Sequence, residues 1–155
     1  MRESSRFVDV RSVRWHVQVL GQGPVALLVH GAGAASFSWR GVAPLLAKRF
    51  TLVVPDLPGH GFTSSLRPAQ QSLPGMAAAL LALLKKLDAE PVLAVGHSAG
   101  AALLVRAALD HGLRAANLLV SINGALLPFA GIAGLVLPSM ARLFARNSLL
   151  PRLFA

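Results

Sequence analysis

The chain has 155 residues, about one domain by length, and is 54% hydrophobic with 14% charged residues, where ordinary soluble chains carry about 25%. That composition excludes disorder, and the absence of Cys excludes a disulfide scaffold, a thiol nucleophile and thiolate metal ligation. Fifteen basic against six acidic residues give a net charge of +9, a balance suited to an anionic membrane surface or an acidic ligand, while 6% aromatics and no Tyr supply no base-stacking platform for nucleic acid.

The first sixteen residues hold Arg2, Glu3, Arg6, Asp9, Arg11 and Arg14 with no apolar run between them, unlike a secretory leader. Phe7–Val10 and Val13–Leu20 read as two strands with a tight connection. In the second, Val13, Trp15, Val17 and Val19 alternate with Arg14, His16 and Gln18, the pattern of a strand with one buried and one polar face. Gly21-Gln22-Gly23-Pro24 is a turn. Val25–Val29 is uniformly apolar, as in a strand covered on both faces. A glycine-rich loop and a helix from about Trp39 to Lys48 follow. Phe50–Val54 is the next strand, closed by Pro55-Asp56.

Residues 57–72 form a polar loop. Ser72-Leu73-Pro74 opens a helix, with Pro in its first turn, and Met76, Leu80, Leu84 and Leu87 keep helical spacing. Val92–Val95 is a strand, Gly100–His111 a helix with Gly112 as its cap, and Leu118–Ile122 a strand. Residues 115–141 carry no charge, but Asn117, Asn123, Pro128, Gly131, Gly134 and Pro138 interrupt them. A buried strand, a loop and an apolar helix explain that stretch better than a membrane span. Short apolar strands alternating with helices predict an α/β fold with a mostly parallel sheet.

Three segments carry chemistry. Gly96-His97-Ser98-Ala99-Gly100 follows an apolar strand and opens a helix, the setting of a G-x-S-x-G nucleophile turn. Ser98 would sit on a sharp turn with its hydroxyl projecting, which requires small neighbours, and the helix start brings free N–H groups beside it. His97 is expected to point away and pack in the core. His30-Gly31-Ala32-Gly33 ends an earlier strand. Its turn could aim the Ala32 N–H at a developing oxyanion, with the Ala99 N–H as second donor. Asp56-Leu57-Pro58-Gly59-His60-Gly61-Phe62-Thr63-Ser64 contains an acid and a His, but reads as a structural loop at the sheet edge.

These segments, in this order and with Trp39 shortly after the first, resemble the α/β-hydrolase fold family over essentially the whole chain. Asp56–Thr63, Ser72-Leu73-Pro74-Gly75-Met76, Gly96–Gly100, Asn123-Gly124-Ala125-Leu126 and Pro151-Arg152-Leu153-Phe154-Ala155 further resemble one subgroup. That subgroup is the magnesium chelatase accessory proteins of bacteriochlorophyll biosynthesis in phototrophic bacteria. The resemblance implies an α/β-hydrolase fold, with residues 1–124 as the front part of the core, ending at about the sixth strand, and 125–155 as the start of a helical cap. It implies Ser98 as nucleophile and Ala32 and Ala99 as backbone oxyanion donors. Gly31, Gly33, Phe37, Trp39 and His97 would line the substrate site, with residues 126–144 capping it.

A serine hydrolase also needs a base and an acid, which in this fold follow the serine. After Ser98 the chain offers only Asp110 and His111. Twelve and thirteen residues along a helix place them roughly 18–20 Å away. His30 and His60 precede the serine, in the wrong chain order. Two expectations follow. Either the chain is a fragment whose acid and His lie beyond Ala155, the favoured reading, or it is a non-hydrolytic accessory protein. The expected partners are a small acyl or ester substrate or a tetrapyrrole, and the magnesium chelatase. The expected location is the cytoplasm, with peripheral contact to a membrane surface. No cofactor, metal or nucleic acid is expected.

Overall fold

A computed structural model describes residues 3–110 and 112–126. Among these residues are six strands: β1 (Glu3–Val10), β2 (Val13–Leu20), β3 (Val25–Val29), β4 (Thr51–Pro55), β5 (Leu93–His97) and β6 (Leu118–Ile122). Three α-helices accompany them: α1 (Ala43–Leu46), α2 (Leu73–Lys86) and α3 (Ala99–Leu109). The strands form one sheet in the order β1-β2-β4-β3-β5-β6. β4, β3, β5 and β6 run parallel, and the β1–β2 hairpin joins antiparallel through β2 and β4. The expected mostly parallel sheet flanked by helices is the one observed.

The period-two alternation of the strands sends side chains into two cores. Val13, Trp15, Val17, Leu27, Val29, Val53 and Ala94 pack with Leu80, Leu83 and Leu84 of α2 and Leu103, Leu104 and Ala107 of α3. Leu20, Ala26, Leu28, Leu52, Val54 and Val95 face the other way, onto Trp39, Ala43 and Ala47. Covering both faces explains why β3 reads as an unbroken apolar run.

Ser72 caps α2 as expected, its Oγ accepting from the Gly75 N–H at 3.2 Å, with Pro74 in the first turn. The expected helix over 39–48 is corrected: a 3₁₀ turn covers Ser36–Trp39 and α1 only Ala43–Leu46. Pro44 has a fixed φ and no N–H, so it fits only the first turn of a helix, and the helix must start beside it. Gly112 takes part in the C-terminal cap of α3, as expected. Its N–H reaches back to the Ala107 carbonyl at 3.0 Å, two residues past the Asp110 cap, and a side chain there would overlap Leu81 of α2. Among the described residues no helix is long and apolar enough to cross a membrane. The expected cap, residues 125–155, lies outside the described residues beyond Leu126.

Candidate active site

Parallel strands β3, β4 and β5 all end at one edge of the sheet, and the loops that follow them converge there. Ser98 stands between β5 and α3 with φ 52° and ψ −118°, a left-handed conformation that a non-glycine residue holds only when its surroundings enforce it. The enforcement is visible. The Ser98 N–H donates to the Ile122 carbonyl at 2.9 Å, and its carbonyl accepts from Ala101 and Ala125, both at 3.1 Å. A Cβ at Gly100 would overlap the carbonyls of Val29 and His30, and one at Gly96 would lie 2.5 Å from Ala101 Cα. Both glycines of the motif are therefore demanded by close approach of backbone to backbone.

The Ser98 hydroxyl does not cap α3, and it has no hydrogen-bond partner among the described residues. The Ala99 amide is the first of the helix, where no intrahelical acceptor exists. The loop after β3 passes beside this turn: a Cβ at Gly31 would sit 3.1 Å from Ser98 Cβ and 3.1 Å from His97 Nδ1. Ala32 and Gly33 are exposed next to it. The structure thus brings Gly31, His97 and Ser98 together, with Ala32, Gly33 and Ala99 adjoining them in the chain.

His30 and Asp56 hold that loop at both ends. His30 Nδ1 donates to the Gly31 carbonyl at 2.7 Å, and its Nε2 accepts the Leu57 N–H at 2.9 Å. Both ring nitrogens are occupied, so His30 cannot act as a base. Burial pushes its pKa down to about 4. Asp56, 1% exposed, accepts the Ser36 N–H at 2.6 Å, the Phe62 N–H at 3.0 Å and His16 Nδ1 at 2.8 Å. Burial pushes its carboxyl up, but the amides of Phe62 and Ser36, the Ser36 hydroxyl and His16 outweigh it and hold the pKa below the ordinary value. Asp56 thus ties the loops after β3 and β4 to His16 of β2. His60 stacks near His30, ring centroids 5.3 Å apart, and burial lowers its pKa.

Several expectations are corrected here. His97 is exposed, not packed in the core. Trp39 is 7% exposed and belongs to the core with Ala26, Leu28 and Val54, so its bulk supports the sheet. Phe37 does stand open, half-exposed with the Arg40 guanidinium 4.2 Å from its ring centroid. His16, expected on a polar strand face, is 5% exposed. The loop after β4 covers it, with the Phe62 ring at 5.3 Å and Thr63 Oγ1 accepting its backbone N–H at 2.9 Å. Nothing local in the sequence announced this residue. His16 stands on β2, three strand spacings from β5, or about 14 Å, too far to serve Ser98. Asp110 is held by Arg106 at 2.7 and 3.1 Å beyond the far end of α3, and His111 lies outside the described residues. No three His, Asp or Glu side chains cluster so as to hold a metal among the described residues.

Four likenesses bear on this geometry. A sequence model of the alpha/beta hydrolase family matches residues 26–155. The magnesium-chelatase 30 kDa subunit of Rhodobacter capsulatus is 42% identical over 135 residues, which are 86% of this chain and 46% of that protein. The pimeloyl-[acyl-carrier protein] methyl ester esterase of Aeromonas hydrophila is 34% identical over 103 residues, 66% of this chain and 39% of that protein. The crystal structure of epoxide hydrolase A from Mycobacterium thermoresistibile superposes with a TM-score of 0.70 at 27% identity, covering 77% of this chain and 39% of that one. The chain spans less than half the length of each of these proteins.

Proposed function

The chain belongs to the alpha/beta hydrolase family, and from that premise we propose that it forms the front part of a protein that hydrolyses an ester or related acyl bond with Ser98 as nucleophile. One observation carries this reading: a serine held at φ 52° with its hydroxyl free of the helix it opens, beside the Gly31 loop. Ser98 Oγ attacks the acyl carbon. The amides of Ala32 and Ala99 hold the oxyanion, each such donor being worth about 10²–10³ in rate. A His and an acid outside this chain take the proton and orient the base. Phe37 and Gly33 border the substrate, and His97 flanks the nucleophile. The likeness to a methyl ester esterase supports the ester class.

The test uses the full-length protein. Ser98→Ala abolishes turnover of a short-chain aryl ester while the thermal transition is retained. Unchanged turnover in the variant would overturn the assignment.

A second reading is favoured by the 42% identity to a magnesium-chelatase subunit. On that reading the scaffold is an accessory of magnesium chelatase in bacteriochlorophyll biosynthesis, placed in the cytoplasm at a membrane surface, and the site holds a tetrapyrrole whose carboxylates meet the basic surplus of +9. A protoporphyrin titration separates the two. Saturable binding that survives Ser98→Ala, without esterase activity, selects the accessory role.

A further inference from the structure

Away from Ser98, the β1–β2 hairpin holds a second serine in a connected chain of side chains. Ser5 Oγ lies 2.7 Å from His16 Nε2, and His16 Nδ1 lies 2.8 Å from Asp56 Oδ2. The three residues are far apart in the chain and meet through the sheet: β1 pairs with β2, and β2 with β4, which ends at Pro55. Asp56 is fixed by the Ser36 and Phe62 amides, so its Oδ2 accepts the Nδ1 proton and leaves the Nε2 lone pair facing the Ser5 hydroxyl. Serine, imidazole and buried carboxylate are thus connected in the order that activates a serine for attack, an order recognised by geometry and not by chain position.

The surroundings fit that chemistry. Ser5 is exposed while His16 and Asp56 are buried, so the nucleophile is open and the base is shielded. The Phe7 and Phe62 rings, 49% and 65% exposed, flank the imidazole at 5.5 and 5.3 Å and offer apolar surface to an acyl chain. The Arg14 guanidinium lies 4.3 Å from the Phe7 ring centroid. Ser5 is four strand spacings from β5, or about 19 Å, so this constellation is separate from the Ser98 site and does not rest on the function proposed for it.

We propose that Ser5 is an activated serine that takes an acyl group from small, apolar activated esters. Ser5 Oγ bonds to the acyl carbon as its proton passes to His16 Nε2. The ester C–O bond then breaks, and the leaving alkoxide departs as the alcohol with the proton from Nε2, leaving an acyl ester on Ser5. An alkyl fluorophosphonate reports the same step, with a P–O bond formed to Ser5 and fluoride expelled.

The test labels the 155-residue chain with an alkyl fluorophosphonate and maps the adduct by mass spectrometry, in the native chain, in Ser98→Ala and in urea-unfolded chain. An adduct on Ser5 is expected in both native proteins, forming faster than in the unfolded chain, where the three side chains are apart. It is expected to slow by about 10²-fold in His16→Gln, the usual worth of a positioned base. Native-versus-unfolded rates keep the question decidable should His16→Gln fail to fold. The proposal is overturned by an adduct confined to Ser98, by no adduct, or by Ser5 reacting at equal rates folded and unfolded.

Discussion

His30 shows how one buried ring can tie two loops together. It is 1% exposed, and its neutral form is required, because Nε2 must accept the Leu57 N–H. Its pKa is about 4 when folded and 6.5 when unfolded, so the unfolded chain takes up the proton first as the solution is acidified. Its contribution is present in full above pH 6.5 and is lost as pH falls from 6.5 to 4, about 3 kcal/mol at 1.36 kcal/mol per unit. His60, also lowered by burial, acts in the same direction. Asp56 extends the loss further, since its depressed carboxyl contributes until pH falls below its ordinary value of 3.8. Urea midpoints measured between pH 7 and pH 4 are expected to fall, and His30→Gln to flatten the slope. A midpoint independent of pH would contradict this account. Asp56→Ala removes the acceptor of three donors, the Ser36 N–H and His16 Nδ1 buried and the Phe62 N–H part-buried, and is expected to cost about 3–5 kcal/mol, read from the same urea titrations at pH 7.

At the scale of elements, two substitutions separate capping from packing. Ser72 is exposed and makes one capping bond at 3.2 Å, so Ser72→Ala should lower stability by about 1 kcal/mol and leave the rest of the fold untouched. Gly100 is buried against the carbonyls of Val29 and His30. Backbone there cannot yield as a flexible side chain would, so Gly100→Ala should cost about 1–3 kcal/mol and move α3 with the turn that holds Ser98. Thermal melts of the two variants, compared with wild type, check both. The α2 start was legible in Ser72-Leu73-Pro74 because capping is a contact three residues long. The helix over 39–48 was overestimated because apolar spacing continued while Pro44 set a later start.

At the scale of the whole molecule, the two edges of the sheet differ. β1 carries Ser4, Arg6 and Asp9 along its length, whereas β6 exposes Leu118 and Ile122 at 57% and 40%. The outer side of β6 pairs with no described strand, and an open apolar edge invites pairing with another chain. The 155-residue chain is expected to associate with rising concentration in light scattering, and Leu118→Lys with Ile122→Lys to reduce that association. Equal scattering from both proteins would show that β6 is not the contact.

Features that depend on neighbours along the chain were readable from the residues: the alternation of β2, the apolar runs of β3 to β5, the cap of α2, and the small residues around Ser98. The sequence also placed the glycine turn after β3 and the loop that starts at Asp56, because both follow strand ends read from local composition. Which distant side chains meet was set by the folded sheet and its loops. His16 looked polar-faced until the loop after β4 folded over it, and Ser5 carried no signal at all. Trp39 looked like a pocket wall until its ring filled the second core. Strand order is settled by packing two apolar faces at once, and a hydrogen-bonded chain across β1, β2 and the end of β4 has no counterpart in the linear spacing of residues 5, 16 and 56.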